Sequence, residues 1–296
     1  MSQQTMKKAL EGYRREVEDC FAELLQDEAI PDSLSQAMRY SLVAGGKRVR
    51  PVLCLVWHEL LGGNRDAVMA FAAALEMIHT YSLVHDDLPA MDNDAVRRGQ
   101  PSNHARFGEP LAILAGDGLL TEAMHHMLAS EADPPRVVRA SQEVTWAAGP
   151  RGMVGGQVLD MALNGAPPET LEQLKTMHGM KTGAMLRAAC TSGAILAGAS
   201  SSDLERAGSY GAHLGLAFQV ADDILDIEGD EAKLGKPVGS DERMRKSTYP
   251  GLLGLEQSRR MGRDLAEQAV QALDGYSGER AEFLADLAKY VVQRTE

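Results

Sequence analysis

Residues 66–85 read DAVMAFAAALEMIHTYSLVH and run directly into Asp86-Asp87-Leu88-Pro89-Ala90-Met91-Asp92. Apolar and small residues, among them Ala72, Ala73 and Ala74, cover more than one side of this stretch at three- and four-residue spacing. That is the pattern of a helix with other helices packed all around it. A second stretch, 203–228, has the same character: it carries Gly208, Gly211 and Gly215 and contains Asp222-Asp223-Ile224-Leu225-Asp226 near its end. Carboxylates are costly in such places, because Asp is seldom buried without a partner and close carboxylates resist joint ionisation. A divalent, oxygen-seeking cation relieves both problems, and Mg²⁺ characteristically takes one or two carboxylates plus substrate phosphates. The two clusters therefore predict two walls of one cavity that holds a polyphosphate through metal ions.

Outward from these stretches, helical periodicity recurs through 5–28, 108–130, 136–148, 170–198 and 252–273. Good helix formers abound, and alternating Val/Ile/Thr strands are absent. Breakers fall between the periodic stretches at Pro31, Gly45-Gly46, Gly62-Gly63, Pro89, Gly99 with Pro101, Pro134-Pro135, Gly149-Pro150, Pro167-Pro168 and Gly239. Asp32 or Ser33 is placed to cap the helix through Tyr40, and Asp203 falls in the first turn of a helix starting near Ser201. With no linker, low-complexity tract or internal repeat, the expectation is one all-α domain over 1–296.

Thirty basic and 42 acidic residues leave a formal charge of −12, which argues against a nucleic-acid footprint. The three cysteines, Cys20, Cys54 and Cys190, form no CxxC pair, so a reducing, cytoplasmic setting is expected. The N-terminus reads as a charged amphipathic helix rather than a signal peptide. No run is judged to reach the ~18–20 apolar residues of a membrane span, so stable membrane insertion is not expected. Fifteen methionines beside five phenylalanines fit adaptable packing around an elongated cavity.

Helical geometry sets Asp222 and Asp226 on one face and turns Asp223 about 100° away. Pro89 forbids a regular helix, so Asp86 and Asp87 should end one and Asp92 return from a short loop. Cations lie where an anion would need them: Gly45-Gly46-Lys47-Arg48-Val49-Arg50, Arg97-Arg98, Lys181-Thr182-Gly183, Lys236 and Lys246. Arginine's fork suits phosphate oxygens and lysine serves as a point charge, so these groups describe two anion sites, one reached through metal and one directly. His79 and His85 do not share a helix face, so a zinc pair is not supported. Gln157, Asp160 and Gln219 are polar groups in apolar helices, and each requires a partner.

At this point a resemblance becomes specific. GGKRVRP, the block HTYSLVHDDLPAMDNDAVRRGQPSNH, GGQVLD, KTG, FQVADDILD and LGKPVGSD with RKSTYP occur in the order found in trans-prenyl diphosphate synthases. The chain most resembles the bacterial short-chain farnesyl diphosphate synthases, from about residue 35 to the C-terminus. The resemblance implies an isoprenoid synthase-type helical bundle around a deep central cavity. It also implies a cluster of three Mg²⁺ ions, for which Mn²⁺ can substitute. Asp86, Asp92 and Asp222 would be the principal ligands, with Asp87, Asp223 and Asp226 in support. Arg97, Lys181 and Lys236 would grip the allylic diphosphate (dimethylallyl or geranyl), with Lys246 closing over it. Gly46, Lys47, Arg50, His79 and Arg98 would hold isopentenyl diphosphate, and Thr182 and Gln219 would face the developing allylic cation. A homodimer is expected from the resemblance alone.

Product length would be set at Tyr81 and Ser82, about one helical turn below Asp86. An aromatic ring there acts as a floor, and this pair resembles the farnesyl arrangement. Geranylgeranyl synthases commonly carry a smaller or unbranched residue at the first position. Three rivals are weighed: a geranylgeranyl diphosphate synthase, a terpene cyclase and a non-catalytic subunit of a heteromeric synthase. The all-Asp second cluster and the intact isopentenyl-site motifs oppose the cyclase, and the retained aspartates and lysines oppose the inactive subunit.

Overall fold

A computed structural model describes residues 3–163, 170–228 and 248–293. The chain opens with α1 (Gln3–Leu24), α2 (Asp32–Leu42) and α3 (Val49–Leu60). A 3₁₀ turn, Asp66–Val68, then leads into α4 (Met69–Asp86). After α4 come a two-residue antiparallel hairpin, β1 (Val96–Arg97) with β2 (Gln100–Pro101), and the short α5 (Asn103–Phe107). Next are α6 (Glu109–Leu128), α7 (Pro134–Ala148), α8 (Met153–Leu163), α9 (Leu171–His178), α10 (Ala184–Ala197) and α11 (Ser201–Glu228). Beyond residue 247 lie α12 (Tyr249–Leu253), α13 (Leu255–Gln271) and α14 (Glu279–Gln293). The architecture is all-α, as expected, with the hairpin as an addition that alternation could not disclose.

The two stretches that suggested central helices are central. In α4 every residue from Phe71 to Ile78 is buried, and α6, α3 and α1 pack against it. In α11 the buried residues run from Ala207 to Asp226, against α10 and α13. Contrary to the expectation about apolar runs, Asp66–Asp86 is long and apolar enough to cross a membrane. Some 67% of its most apolar window is buried inside the bundle, so neighbouring helices absorb that apolar surface.

Small residues set the closest approaches. A Cβ on Gly211 would lie 2.6 Å from Arg187 Cα, one on Gly215 2.8 Å from Gly183 Cα, and one on Gly193 2.2 Å from Cys54 O. These positions let α11 meet α10, and α10 meet α3, backbone to backbone. Asp203 does lie in the first turn of α11: its Oδ2 accepts from Ser200 N and Oγ, and its own N–H donates to Ser200 Oγ. The cap expected from Asp32 or Ser33 is absent, because α2 starts at Asp32 after Pro31 and carries no side-chain cap. The periodic stretch 170–198 is not one regular helix either: a π-helical turn, Gly179–Gly183, divides α9 from α10.

Candidate active site

The first carboxylate cluster is shaped by the end of α4. Asp87 N donates to Leu83 O, after which Pro89 ends the helix and the chain folds back so that Asp92 N donates to Asp86 O at 2.9 Å. Asp92 thus returns beside Asp86, as the spacing predicts, and both remain half-buried. Burial, assisted by the nearby Asp92 and Asp87 carboxylates, pushes the Asp86 carboxyl up to about 6, while Lys181 and Arg97 act in the opposite sense. A carboxylate held short of counter-charge in this way suits a divalent cation.

Asp87 has a different environment. It is 2% exposed, and Arg97 grips it through two nitrogens, with Nε to Oδ1 at 2.9 Å. Arg97 also reaches Asp94 at 3.3 Å. The hairpin aims these cations. Its two turn residues, Arg98 (φ 53°) and Gly99 (φ 76°), both have positive φ, as a tight two-residue connection requires. Arg98 then crosses Gly46, where an added Cβ would lie 2.8 Å from the guanidinium carbon, and donates to Gly45 O. Gly46 is itself at φ 126°, so it serves both the backbone turn and the close approach.

The motif at 47–50 separates three cations. Arg48 is buried and fully engaged: it donates to Glu76 at 3.0 Å, Glu18 at 3.2 Å and Leu42 O at 2.7 Å, and it lies over the Phe21 ring. Lys47 is exposed, with its ammonium 5.1 Å from the Phe218 ring of α11, so this loop meets the second wall. Arg50 has a buried Nε without a hydrogen-bond partner among the described residues. Burial disfavours its charge, Glu76 counters that, and Arg98 adds to it. His79 is held well below the usual histidine range by burial and then by Arg50, Arg98, Arg48 and Arg97, so it is neutral at ordinary pH. A neutral imidazole among arginines and a buried arginine N–H without an acceptor describe a site short of negative charge. An anion supplies what is missing.

Glu76 was not singled out from the sequence, although one acidic residue within an apolar helix was the available signal. It is 2% exposed, pairs with Arg48 and lies 3.9 Å from Arg98.

The opposite wall is built on the π-helical turn. Gly156 of α8 lies so close to this turn that a Cβ would meet Lys181 N at 2.2 Å. The approach brings Asp160 Oδ2 within 2.5 Å of Lys181 Nζ. Asp160 thereby has its partner, whereas the buried Gln157 Nε2 has none among the described residues. Thr182 Oγ1 donates to Gln219 Oε1 at 3.0 Å, Gln219 Nε2 to Asp223 Oδ1 at 3.4 Å, and Tyr249 N to Asp223 Oδ2 at 2.9 Å.

Burial ranks the second cluster differently from simple face-sharing. Asp222 is the more accessible carboxylate, while Asp223 and Asp226 are 4% and 2% exposed. Among the described residues no three His, Cys, Asp or Glu side chains stand gathered as a ready-made metal site.

Tyr81 is 8% exposed on α4, its ring edge-on to His85 at 5.8 Å, and His85 Nε2 lies 3.0 Å from Ile113 O of α6. Ser82 is half-buried and donates to His79 O at 2.9 Å. Lys236 and Lys246 lie outside the described residues.

Comparison with known proteins accords with this geometry. Residues 31–285 match the family model described as polyprenyl synthetase. A chloroplastic geranylgeranyl pyrophosphate synthase of Capsicum annuum is 47% identical over 274 residues, 90% of this chain and 74% of its own. A dimethylallyltranstransferase of Fischerella ambigua is 44% identical over 286 residues, 96% of this chain and 82% of its own. The solved FPP/GFPP synthase of Zymomonas mobilis superposes with a TM-score of 0.86 at 34% identity, covering 97% of this chain and 99% of that one. The chain belongs to the polyprenyl synthetase family and is a trans-prenyltransferase.

Proposed function

We propose that this prenyltransferase condenses isopentenyl diphosphate with dimethylallyl and then geranyl diphosphate, and stops at farnesyl diphosphate. Tyr81 is the observation that carries the stopping point: a buried ring about one turn below Asp86, braced edge-on by His85. It gives a lengthening chain a floor. Geranylgeranyl diphosphate is the second reading, favoured by the Capsicum annuum relative that bears that name.

Asp86, Asp92 and Asp222 would hold Mg²⁺, with Asp87, Asp223 and Asp226 in support, and Mn²⁺ would substitute for it. The bound metal supplies positive charge for the departing diphosphate. Lys181, released from Asp160, and Arg97 take the allylic diphosphate oxygens, joined by Lys236 and Lys246. Lys47, Arg50, Arg98 and neutral His79 hold isopentenyl diphosphate against Gly46. The allylic C–O bond breaks heterolytically, and diphosphate leaves with the electron pair. The π pair of isopentenyl diphosphate then forms the new C–C bond to the allylic cation, which Thr182 and Gln219 face. The tertiary cation so formed loses a proton to the released diphosphate, so no protein base is required. The preformed cations act where charge develops, and this is the most effective place for them.

Exposed apolar residues on three successive helices, Ile113 and Leu114, Val138 and Trp146, and Val154 and Val158, support a homodimer as the working form. Sedimentation at micromolar protein checks it, a single monomer species being the contrary outcome. Incubating purified protein with Mg²⁺, isopentenyl diphosphate and dimethylallyl diphosphate, then sizing the products, tests the function. C15 as the main product supports the proposal, C20 transfers it to the second reading, and no condensation rejects both.

A further inference from the structure

Three hydrogen bonds link Thr182 on the π-helical turn to Tyr249 at the start of α12, and the chemistry at the far end fixes the direction of every one. Tyr249 N is a backbone donor and occupies Asp223 Oδ2 at 2.9 Å. The remaining carboxylate oxygen, Oδ1, accepts from Gln219 at 3.4 Å, so it receives the amide NH₂. Gln219 must therefore present its carbonyl oxygen to Thr182, and Thr182 must donate its hydroxyl proton to it at 3.0 Å. The lone pairs of Thr182 Oγ1 and the second lone pair of Gln219 Oε1 are what this pair then offers outward.

We infer that Asp223 is a positioning residue that sets the polarity of the Thr182–Gln219 pair, so that oxygen lone pairs and not N–H or O–H groups face the allylic cation. The inference rests on the proposed reaction, in which these two groups face that cation. Packing supports the assignment. Gly215, one helical turn before Gln219, permits the approach to Gly183 that brings Thr182 within bonding range. Asp223 is only 4% exposed and is tied to α12 rather than turned to solvent. A carboxylate is the only common side chain that presents two acceptors and no donor, which is what this junction uses.

The test is Asp223→Asn. Its oxygen must still take Tyr249 N–H, so its NH₂ faces Gln219 and obliges that amide to turn. Gln219 Nε2 then points to Thr182, and donors replace lone pairs at the cation. At saturating substrates and saturating Mg²⁺ kcat should fall about 10-fold to 100-fold, with both KM values unchanged. The charge-conserving double variant, Asp223→Asn with Gln219→Glu, restores an acceptor toward both Thr182 and the amide introduced at position 223. It should recover most of the lost kcat. An unchanged kcat in the single variant, a loss reversed by raising Mg²⁺, or a double variant no better than the single one overturns the inference. Should Asp223→Asn fail to fold, the double variant alone decides: activity within about 10-fold of wild type supports the inference, and a larger loss overturns it. Wild-type protein in the same assay separates the two levels. Product from wild type with an unaffected Asp223→Asn removes this inference only, whereas no product from wild type removes the proposed reaction.

Discussion

Arg48 and Arg50 sit two residues apart in one motif and have opposite environments. Arg48 faces the pocket under α1 and α4, where Glu76, Glu18 and Leu42 O take its donors and the Phe21 ring covers it. Arg50 faces the other pocket, beside Arg98 and His79, and keeps a buried Nε with no partner among the described residues. The first region is complete without a ligand, and the second is not. A similar division separates Asp87, gripped by Arg97, from Asp86, whose carboxyl is pushed up to about 6 by burial and neighbouring carboxylates. For Arg48 and Arg50, residue type therefore does not distinguish a structural charge from a binding one, whereas internal matching does.

The largest effect should come from the carboxylates proposed as principal metal ligands. Asp86→Asn or Asp222→Asn is expected to lower kcat by about 10²- to 10³-fold at saturating substrate, with little change in melting temperature. Steady-state kinetics and a thermal melt check this together, and a variant that retains full kcat would dissolve the division. Next is Arg48→Met, which leaves Glu76 buried without its main partner; stability should fall by about 3–5 kcal/mol in urea unfolding. Arg50→Met should leave the unfolding midpoint unchanged or raised and weaken isopentenyl diphosphate instead. If the two arginine variants behave alike, the contrast between their pockets is wrong.

A smaller effect concerns His79. Its folded value lies below the ordinary one, so between the two values the unfolded chain binds the extra proton. Stability is full above the ordinary histidine value of about 6.5 and is lost as pH falls below it. His79→Gln should remove this part of the acid destabilisation, read from urea midpoints at about pH 7.5 and about pH 5.5. An equal loss in wild type and variant would show that His79 is not held neutral. Tyr81→Ala should change rates least and product most, shifting material from C15 to C20 and beyond in a chain-length assay. An unchanged distribution would sink the floor.

Much of this was legible in the sequence because apolar periodicity reports burial. Both central helices, the carboxylate clusters at their ends and the return of Asp92 beside Asp86 follow from spacing and from Pro89. Several of the missed features have a physical reason. Helix α3 is buried continuously from Pro51 to His58, so it offers no polar face to mark a period. The π-helical turn adds a residue to the helical repeat, which spacing arguments cannot register. Partnerships across the fold, such as Lys181 with Asp160 or Asp223 with Tyr249, join residues that no local pattern relates. The sorting of Arg48 from Arg50 is of that kind, since it depends on Glu76 and Glu18 arriving from two other helices.

Calorimetric titration of isopentenyl diphosphate into wild type and Arg50→Met, each first shown to unfold at the same denaturant concentration, tests the central claim most directly. Matched folding with about 10-fold to 100-fold weaker binding is the predicted result, because a charged hydrogen bond to the ligand is lost and no internal one is broken. Equal affinities for the two proteins would contradict it, and the unpartnered Arg50 Nε would then not mark the diphosphate site.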